Sequence, residues 1–132
     1  MRLGLIAALL VGLTAPALAQ EQPIQQAITA QIEAFKAADF DRAFTFASPT
    51  IHDIFGTADN FGSMVVTGYP MVVNPAQVEM QVLRTVGGAL WQRVRITDQK
   101  GVAYLLDYQM VPGPDGWRIN AVQLQKAADV GA

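Results

Sequence analysis

An α+β domain, with N-terminal helices packed on one face of a four-stranded antiparallel sheet, is the fold class that this sequence predicts. In the first half of the chain, apolar residues recur at the spacing of an α-helix. After Pro75 the period shortens to two, and four alternating segments follow with glycine-containing turns between them. Because the helices precede the strands, they should cover one face of an antiparallel meander.

The first predicted helix extends from Pro23 to Ala38. Proline suits the first turn of a helix, where its missing N–H group would have no intrahelical partner in any case. The apolar face consists of residues at helical spacing: Ile24, Ile28, Ile32 and Phe35. We expect this face to pack against the sheet.

Capping residues predict three further helices. Asp39 can cap a short second helix. Ser48, which precedes a proline, can cap a third helix that ends at Gly56. Thr57 can cap a fourth helix, which we expect to end near Gly68.

The motif Gly68-Tyr69-Pro70 predicts the change from helices to sheet. Proline lacks the backbone donor and restricts the residue before it, so helical structure should stop there. Tyr69 adds a large ring with one hydroxyl. We expect Tyr69 at the rim of any cavity beneath the helices.

One turn predicts the pairing of the second and third strands. Asp98-Gln99-Lys100-Gly101 fits a three-residue hairpin loop with glycine in the left-handed position. Arg93 should therefore lie directly opposite Asp107. A longer loop between the third and fourth strands would place Asp107 beside Asn120.

The first hairpin poses a conflict. A simple two-residue loop at Gly87-Gly88 would place the apolar Val82 opposite the charged Arg93. Either a β-bulge or a longer loop must intervene, or the first strand has two mixed faces.

The N-terminus has the pattern of a secretory signal peptide over residues 1–19. A basic start precedes the apolar run from Leu3 to Val11, and Ala17-Leu18-Ala19 has the small residues of a cleavage site. An uncleaved anchor is the alternative, but the apolar run is shorter than the ~20 residues of a spanning helix. We expect cleavage after Ala19, a periplasmic or secreted location without a stable membrane anchor, and a single domain at residues 20–132.

Composition argues against several classes of function. The net charge is −2, and loss of residues 1–19, which carry Arg2 and no acid, would make it −3. A mildly acidic chain without a basic run is a poor candidate for nucleic-acid binding. There is no cysteine and His52 is the only histidine, so we expect neither a metal site nor another cofactor.

Several motifs follow one another along the chain: Gln31-Ile32 and Ala34-Phe35, Ala43-Phe44-Thr45-Phe46-Ala47-Ser48-Pro49, Phe55-Gly56, Met64-Val65, Gly68-Tyr69-Pro70 and Gly116-Trp117-Arg118-Ile119. Read together, they resemble a bacterial family known as domain of unknown function 4864. The family in turn resembles the nuclear-transport-factor-2-like superfamily, which implies helices that close a curved sheet into a cone with a pocket. The resemblance implies no catalytic residues, because none is established for the family. The superfamily includes isomerases, dehydratases and many non-catalytic modules, so the fold alone does not choose among these functions.

Four aromatic residues are the candidate ligand-binding residues. We expect them on the helix-facing side of the sheet: Tyr69, Tyr104, Tyr108 and Trp117. Such a set is usually core. In a cone with an open centre, however, a tyrosine hydroxyl would be the polar group that holds a ligand.

The opposite face of the sheet carries the candidate partner surface. Its residues are Trp91, Arg93, Asp107 and Arg118, accompanied by Arg95 and Asn120. Tryptophan in a charged setting is common at protein interfaces. The alternative is cross-strand ion pairing on a solvated face, worth about 0.2–1 kcal/mol per pair.

Two functions therefore remain open. The first is an uncharacterised exported module that binds a small apolar ligand or a protein partner, with a homodimer as one possible arrangement. The second is an isomerase or dehydratase that places a carboxylate opposite a tyrosine hydroxyl in an apolar pocket. No acid on the second to fourth strands falls on the apolar face, so Asp41 or Asp53 would have to supply that carboxylate. We expect Asp39 and His52 to act as capping or surface residues.

Overall fold

Five helices precede a four-stranded antiparallel sheet in the computed structural model, which describes residues 15–125, with side chains described from Gln20 onward. The helices are α1 (Ala15–Lys36), α2 (Phe40–Thr45), α3 (Pro49–Phe55), α4 (Ala58–Gly68) and α5 (Pro70–Val73). The strands are β1 (Pro75–Val86), β2 (Ala89–Asp98), β3 (Ala103–Gly113) and β4 (Gly116–Gln125). They are ordered β1-β2-β3-β4, which confirms the predicted α+β class and the meander.

The start of α1 differs from its prediction. The helix begins at Ala15 rather than Pro23, so proline lies inside it. The residues before the proline include alanine and leucine, which favour helix, and Pro23 removes one backbone donor without ending the helix. Residues 1–14, which form most of the predicted signal peptide, lie outside the described residues.

The end of α1 is also earlier than predicted. The helix ends at Lys36 rather than Ala38, because Ala38 adopts a left-handed backbone with φ 57°. The Ala38 amide then donates to the Phe35 carbonyl, and the Asp39 amide donates to the Ala34 carbonyl. These two hydrogen bonds form a Schellman-type helix end.

The capping predictions for α2, α3 and α4 are confirmed. The side chains of Asp39, Ser48 and Thr57 each accept a hydrogen bond from a backbone amide in the first turn of the helix that follows. The end of α4 at Gly68 is confirmed as well. The prediction that helical structure stops at Pro70 is wrong, because proline occupies the first position of the short helix α5, where its missing donor costs nothing.

The register of β2 and β3 follows the prediction. Arg93 pairs with Asp107. The Asp98 amide donates to the Val102 carbonyl, and the Gly101 amide donates to the Asp98 carbonyl. Gly101 has φ 84°, the left-handed conformation that the three-residue loop requires.

The predicted register of β3 and β4 is wrong. Asp107 pairs with Gln123 rather than Asn120, and Met110 pairs with Ile119. The connection is shorter than expected, because Gly113 and Gly116 still pair with each other. In addition, the register shifts between Gln109 and Met110, which leaves Asn120 as an extra residue on β4.

A β-bulge resolves the conflict in the first hairpin. Gly87 and Gly88 form a two-residue turn with φ 57° and 82°, the pattern of a type I′ hairpin. The register then shifts between Met80 and Leu83, so Val82 lies in the irregular segment. Of the three alternatives, the bulge is the one that the fold adopts.

The core lies between α1 and the helix-facing side of the sheet. Ile24 and Ile28 of α1 are fully buried, as are Val94 and Ile96 of β2 and Leu106 of β3. None of the described helices is both long and apolar enough to cross a membrane.

The segment between α2 and α3 is tied directly to the edge of the sheet. The Ile119 amide donates to the Phe46 carbonyl (2.8 Å), and the Ser48 amide donates to the Ile119 carbonyl (2.9 Å). Ser48 Oγ also lies 2.8 Å from Asn120 Oδ1 and is 1% exposed. These contacts hold the start of α3 against β4 and thereby position one wall of the pocket described below.

Candidate functional site

A pocket of about 320 Å³ lies between the helices and the sheet. Phe61, Met64 and Val65 of α4 form one wall. Tyr108 of β3 lies on the opposite side, and Ile54 of α3 also lines the pocket. Because Ile54 is 65% exposed, it marks the side on which the pocket reaches solvent.

The β4 wall depends on the irregular pairing of that strand. Four consecutive residues, Ile119 to Val122, line the pocket. In a regular strand only alternate side chains face one side. The register shift that leaves Asn120 unpaired brings neighbouring residues to the same wall. Asn120 was predicted on the outer face; it lines the pocket instead, and its Nδ2 donates to Gln109 Oε1 at 2.7 Å.

Tyr69 and Tyr108 are the two predicted ligand residues that line the pocket. The Tyr69 hydroxyl donates to the Val122 carbonyl at 3.1 Å. Tyr108 is 2% exposed, and its hydroxyl makes no hydrogen bond to any described residue. Burial, reinforced by the nearby Tyr69, raises the pKa of the Tyr108 phenol, so this hydroxyl keeps its proton at neutral pH.

Tyr104 and Trp117 do not line the pocket. Both are half-buried and pack at the margin of the hydrophobic core. The Tyr104 hydroxyl lies 3.4 Å from Asp98 Oδ2 near the β2–β3 turn. The alternation of the strands places them on the helix-facing side, but the pocket occupies only part of that side.

Gln31 is a pocket residue that sequence reasoning did not select. It lies on the apolar face of α1, is 4% exposed, and lines the pocket. Its Nε2 donates to the Ala43 carbonyl at 3.1 Å, whereas its Oε1 accepts no hydrogen bond from a described residue. The signal in the sequence was a glutamine within a stripe of isoleucines.

The two tyrosines are the titratable groups among the described lining residues. Asp41 and Asp53, the acids considered for an enzyme, are exposed and do not belong to this lining. His52 stacks on Phe44 with ring centroids 3.8 Å apart, and its Nε2 lies 2.7 Å from the Phe44 carbonyl oxygen. Asp39 caps α2, as expected.

The outer face of the sheet carries a cluster of charged residues around Asp107. Arg93 Nε and Nη2 lie 2.9 Å from the two carboxylate oxygens, and Arg84 Nη1 and Nη2 reach the same oxygens at 3.2 and 3.0 Å. Asp107 is 2% exposed. The hydrogen bonds from Arg93, with those from Arg84, lower the pKa of Asp107 to about 2 against the opposing effect of burial.

Of the two remaining partner-surface candidates, Trp91 lies beside this cluster and Arg118 lies further along the sheet. Trp91 is half-buried and pairs with Arg84 on one side and Gln109 on the other. Arg118 is opposite Val111, and its Nη2 lies 4.0 Å from an oxygen of the exposed Asp115. The expectation that Asp107 takes part in an ion pair on a solvated face is therefore wrong. Its carboxylate is buried and contacts two guanidinium groups.

Within residues 15–125, no group of three or more histidine and acidic side chains is arranged to hold a metal ion. No curated protein matches the chain, and no solved structure matches it either. The likeness to the nuclear-transport-factor-2-like superfamily therefore stays an expectation. A family model, described as "Domain of unknown function (DUF4864)", matches residues 17–132. The chain belongs to this family of unknown function.

Proposed function

We propose that this protein binds a small apolar molecule in the pocket between its helices and its sheet. The observation that carries the proposal is the pocket itself, about 320 Å³ of space lined mainly by apolar side chains. The pocket is a cleft between the helices and the sheet whose walls are mostly apolar side chains. Ligand pockets of proteins begin at about 300 Å³ and combine apolar walls with a few polar groups.

The volume sets the size of the molecule. An engineered cavity of about 150 Å³ is enough to bind benzene. The present pocket has about twice that volume, which corresponds to two fused rings or a short branched chain. Long acyl chains would extend out of it past Ile54.

The competing proposal, an isomerase or dehydratase, requires a carboxylate base beside a tyrosine in the pocket. The described lining supplies the tyrosines, but its remaining polar side chains are the amides Gln31 and Asn120. This favours binding over acid-base chemistry. The proposed place of action is outside the cytoplasm, in keeping with the signal pattern of residues 1–19.

A fluorescence titration with naphthalene tests the proposal. The wild-type protein should bind this two-ring hydrocarbon saturably with one site per chain. Val65→Phe adds a ring at the pocket wall and should weaken binding at least tenfold. The adjacent Val66 does not belong to this wall and is 48% exposed, so Val66→Phe is the matched control and should leave binding unchanged.

Circular dichroism and thermal unfolding should show that both variants fold. If the wild-type protein gives no saturable binding, the proposed function is wrong. Equal weakening by the two substitutions would place binding outside the pocket and would contradict the proposal as well.

A further inference from the structure

The polar atoms of the pocket wall differ in whether they already have partners. The Tyr69 hydroxyl donates to the Val122 carbonyl. Asn120 Oδ1 accepts from the Ser48 hydroxyl, and Asn120 Nδ2 donates to Gln109 Oε1. The Tyr108 hydroxyl makes no hydrogen bond to a described residue, although this side chain is only 2% exposed. A polar group in a pocket wall that makes no hydrogen bond to the described protein is available to a ligand or to water.

We infer that the pocket selects an apolar molecule carrying one neutral hydroxyl or carbonyl group, which hydrogen-bonds to the Tyr108 hydroxyl. This inference rests on the proposed function and narrows the class of ligand. A phenol hydroxyl can donate to a carbonyl and can both donate to and accept from a ligand hydroxyl. Gln31 Oε1, which accepts no hydrogen bond from a described residue, is a second acceptor in the pocket lining.

The pocket should disfavour a charged ligand. Its described lining contains no lysine, arginine or histidine to pair with a carboxylate, and no acid to pair with an amine. Transfer of an unpaired charge into apolar surroundings is costly. The Tyr108 phenol also stays neutral, since its burial raises its pKa.

Three two-ring probes separate these possibilities: naphthalene, 1-naphthol and 1-naphthoate. The wild-type protein should bind 1-naphthol about threefold to tenfold more tightly than naphthalene, the gain of one net hydrogen bond. It should bind 1-naphthoate at least about tenfold more weakly than 1-naphthol at pH 7.

Two phenylalanine variants identify the group responsible. Tyr108→Phe removes a hydroxyl that has no partner among the described residues, so it should remove the preference for 1-naphthol and leave naphthalene binding in place. Tyr104→Phe is the matched control, because it removes a tyrosine hydroxyl from the same strand outside the pocket lining. It should keep the preference of the wild-type protein.

The outcomes are distinguishable. If naphthalene and 1-naphthol both bind but Tyr108→Phe keeps the full preference, the inference about Tyr108 is wrong and the proposed pocket stands. Tighter binding of 1-naphthoate than of 1-naphthol would overturn the inference in favour of an anion site. If no probe binds saturably to the folded wild-type protein, the proposed function fails together with the inference.

Discussion

Arg93 and Asp107 face each other across β2 and β3 and are joined by two hydrogen bonds of 2.9 Å. Arg84 of β1 reaches the same carboxylate, and Gln125 Nε2 of β4 lies 3.4 Å from Asp107 Oδ2, so side chains of all four strands meet at one buried acid. The sequence predicts the contact between Arg93 and Asp107 but not the contact between Arg84 and Asp107. The cluster makes the stability of the sheet dependent on the ionisation of Asp107.

We predict that acid destabilises the protein through Asp107. The pKa of its carboxyl is lowered from 3.8 to about 2 in the folded protein. The stabilisation is therefore complete above about pH 4–5, where the unfolded carboxyl is also ionised, and is lost as the pH falls through about 2. The difference corresponds to about 2 kcal/mol in the free energy of unfolding.

Urea unfolding of the wild type and of Asp107→Asn between pH 7 and pH 2 checks this prediction. The variant should be less stable at pH 7 and should lack this part of the acid dependence. A wild-type profile that matches the variant over the whole pH range would contradict it.

The two arginines of the cluster should contribute unequally. Arg93 makes the larger contribution to the lowered pKa of Asp107, so Arg93→Ala should destabilise more than Arg84→Ala, with both near 1–2 kcal/mol. Arg95→Ala is the control, because Arg95 and its partner Glu79 are both more than a third exposed and should contribute less than about 1 kcal/mol. Chemical denaturation of the three variants ranks them by their loss of stability. A loss of stability in Arg95→Ala equal to that in Arg93→Ala would contradict this prediction.

Tyr69 should serve both the pocket and the fold. Tyr69→Phe removes the hydrogen bond to the Val122 carbonyl and should cost about 1 kcal/mol. Tyr69→Ala also removes the ring from the pocket wall and should cost about 3–5 kcal/mol, with weaker naphthalene binding. Thermal unfolding and the naphthalene titration measure the two effects. A Tyr69→Ala variant with wild-type stability and binding would show that neither role holds.

Loss of the Ser48 hydroxyl should lower the free energy of unfolding more than loss of a helix cap alone. Its Oγ caps α3 at the Ile51 amide and also bonds to Asn120 of β4. We expect Ser48→Ala to cost about 2 kcal/mol, from the lost cap and the lost hydrogen bond. Thr57→Ala, which removes only the cap of α4, should cost about 1 kcal/mol. Urea unfolding compares them, and an equal loss would show that the bond to β4 contributes nothing.

Processing after Ala19 remains a prediction from the sequence. The small residues Ala17 and Ala19 precede Gln20 in the pattern that a signal peptidase recognises. Intact-mass measurement of the exported protein should give a chain that begins at Gln20. A mass that retains residues 1–19 would support the alternative of an uncleaved anchor.

Local chemistry made much of the fold predictable. The caps at Asp39, Ser48 and Thr57 depend on one side chain and an amide three residues later, so they could be predicted from the sequence. The Gly101 turn determined the pairing of Arg93 with Asp107 in the same way. The β3–β4 register was predicted wrongly, because Gly113 and Gly116 pair across a tighter turn than expected and Asn120 is an extra residue on β4.

By itself, the sequence determined the α+β class, the order of the elements and the position of Tyr108 on the helix-facing side of β3, because period, caps and turns are local properties. The tertiary structure decided that Arg84 joins Asp107, that Gln31 faces the pocket and that the Tyr108 hydroxyl has no described partner. Each of these depends on a β-bulge or on the packing of helices against strands. Bulges shift which side chains meet without leaving a clear mark in the alternation of the sequence.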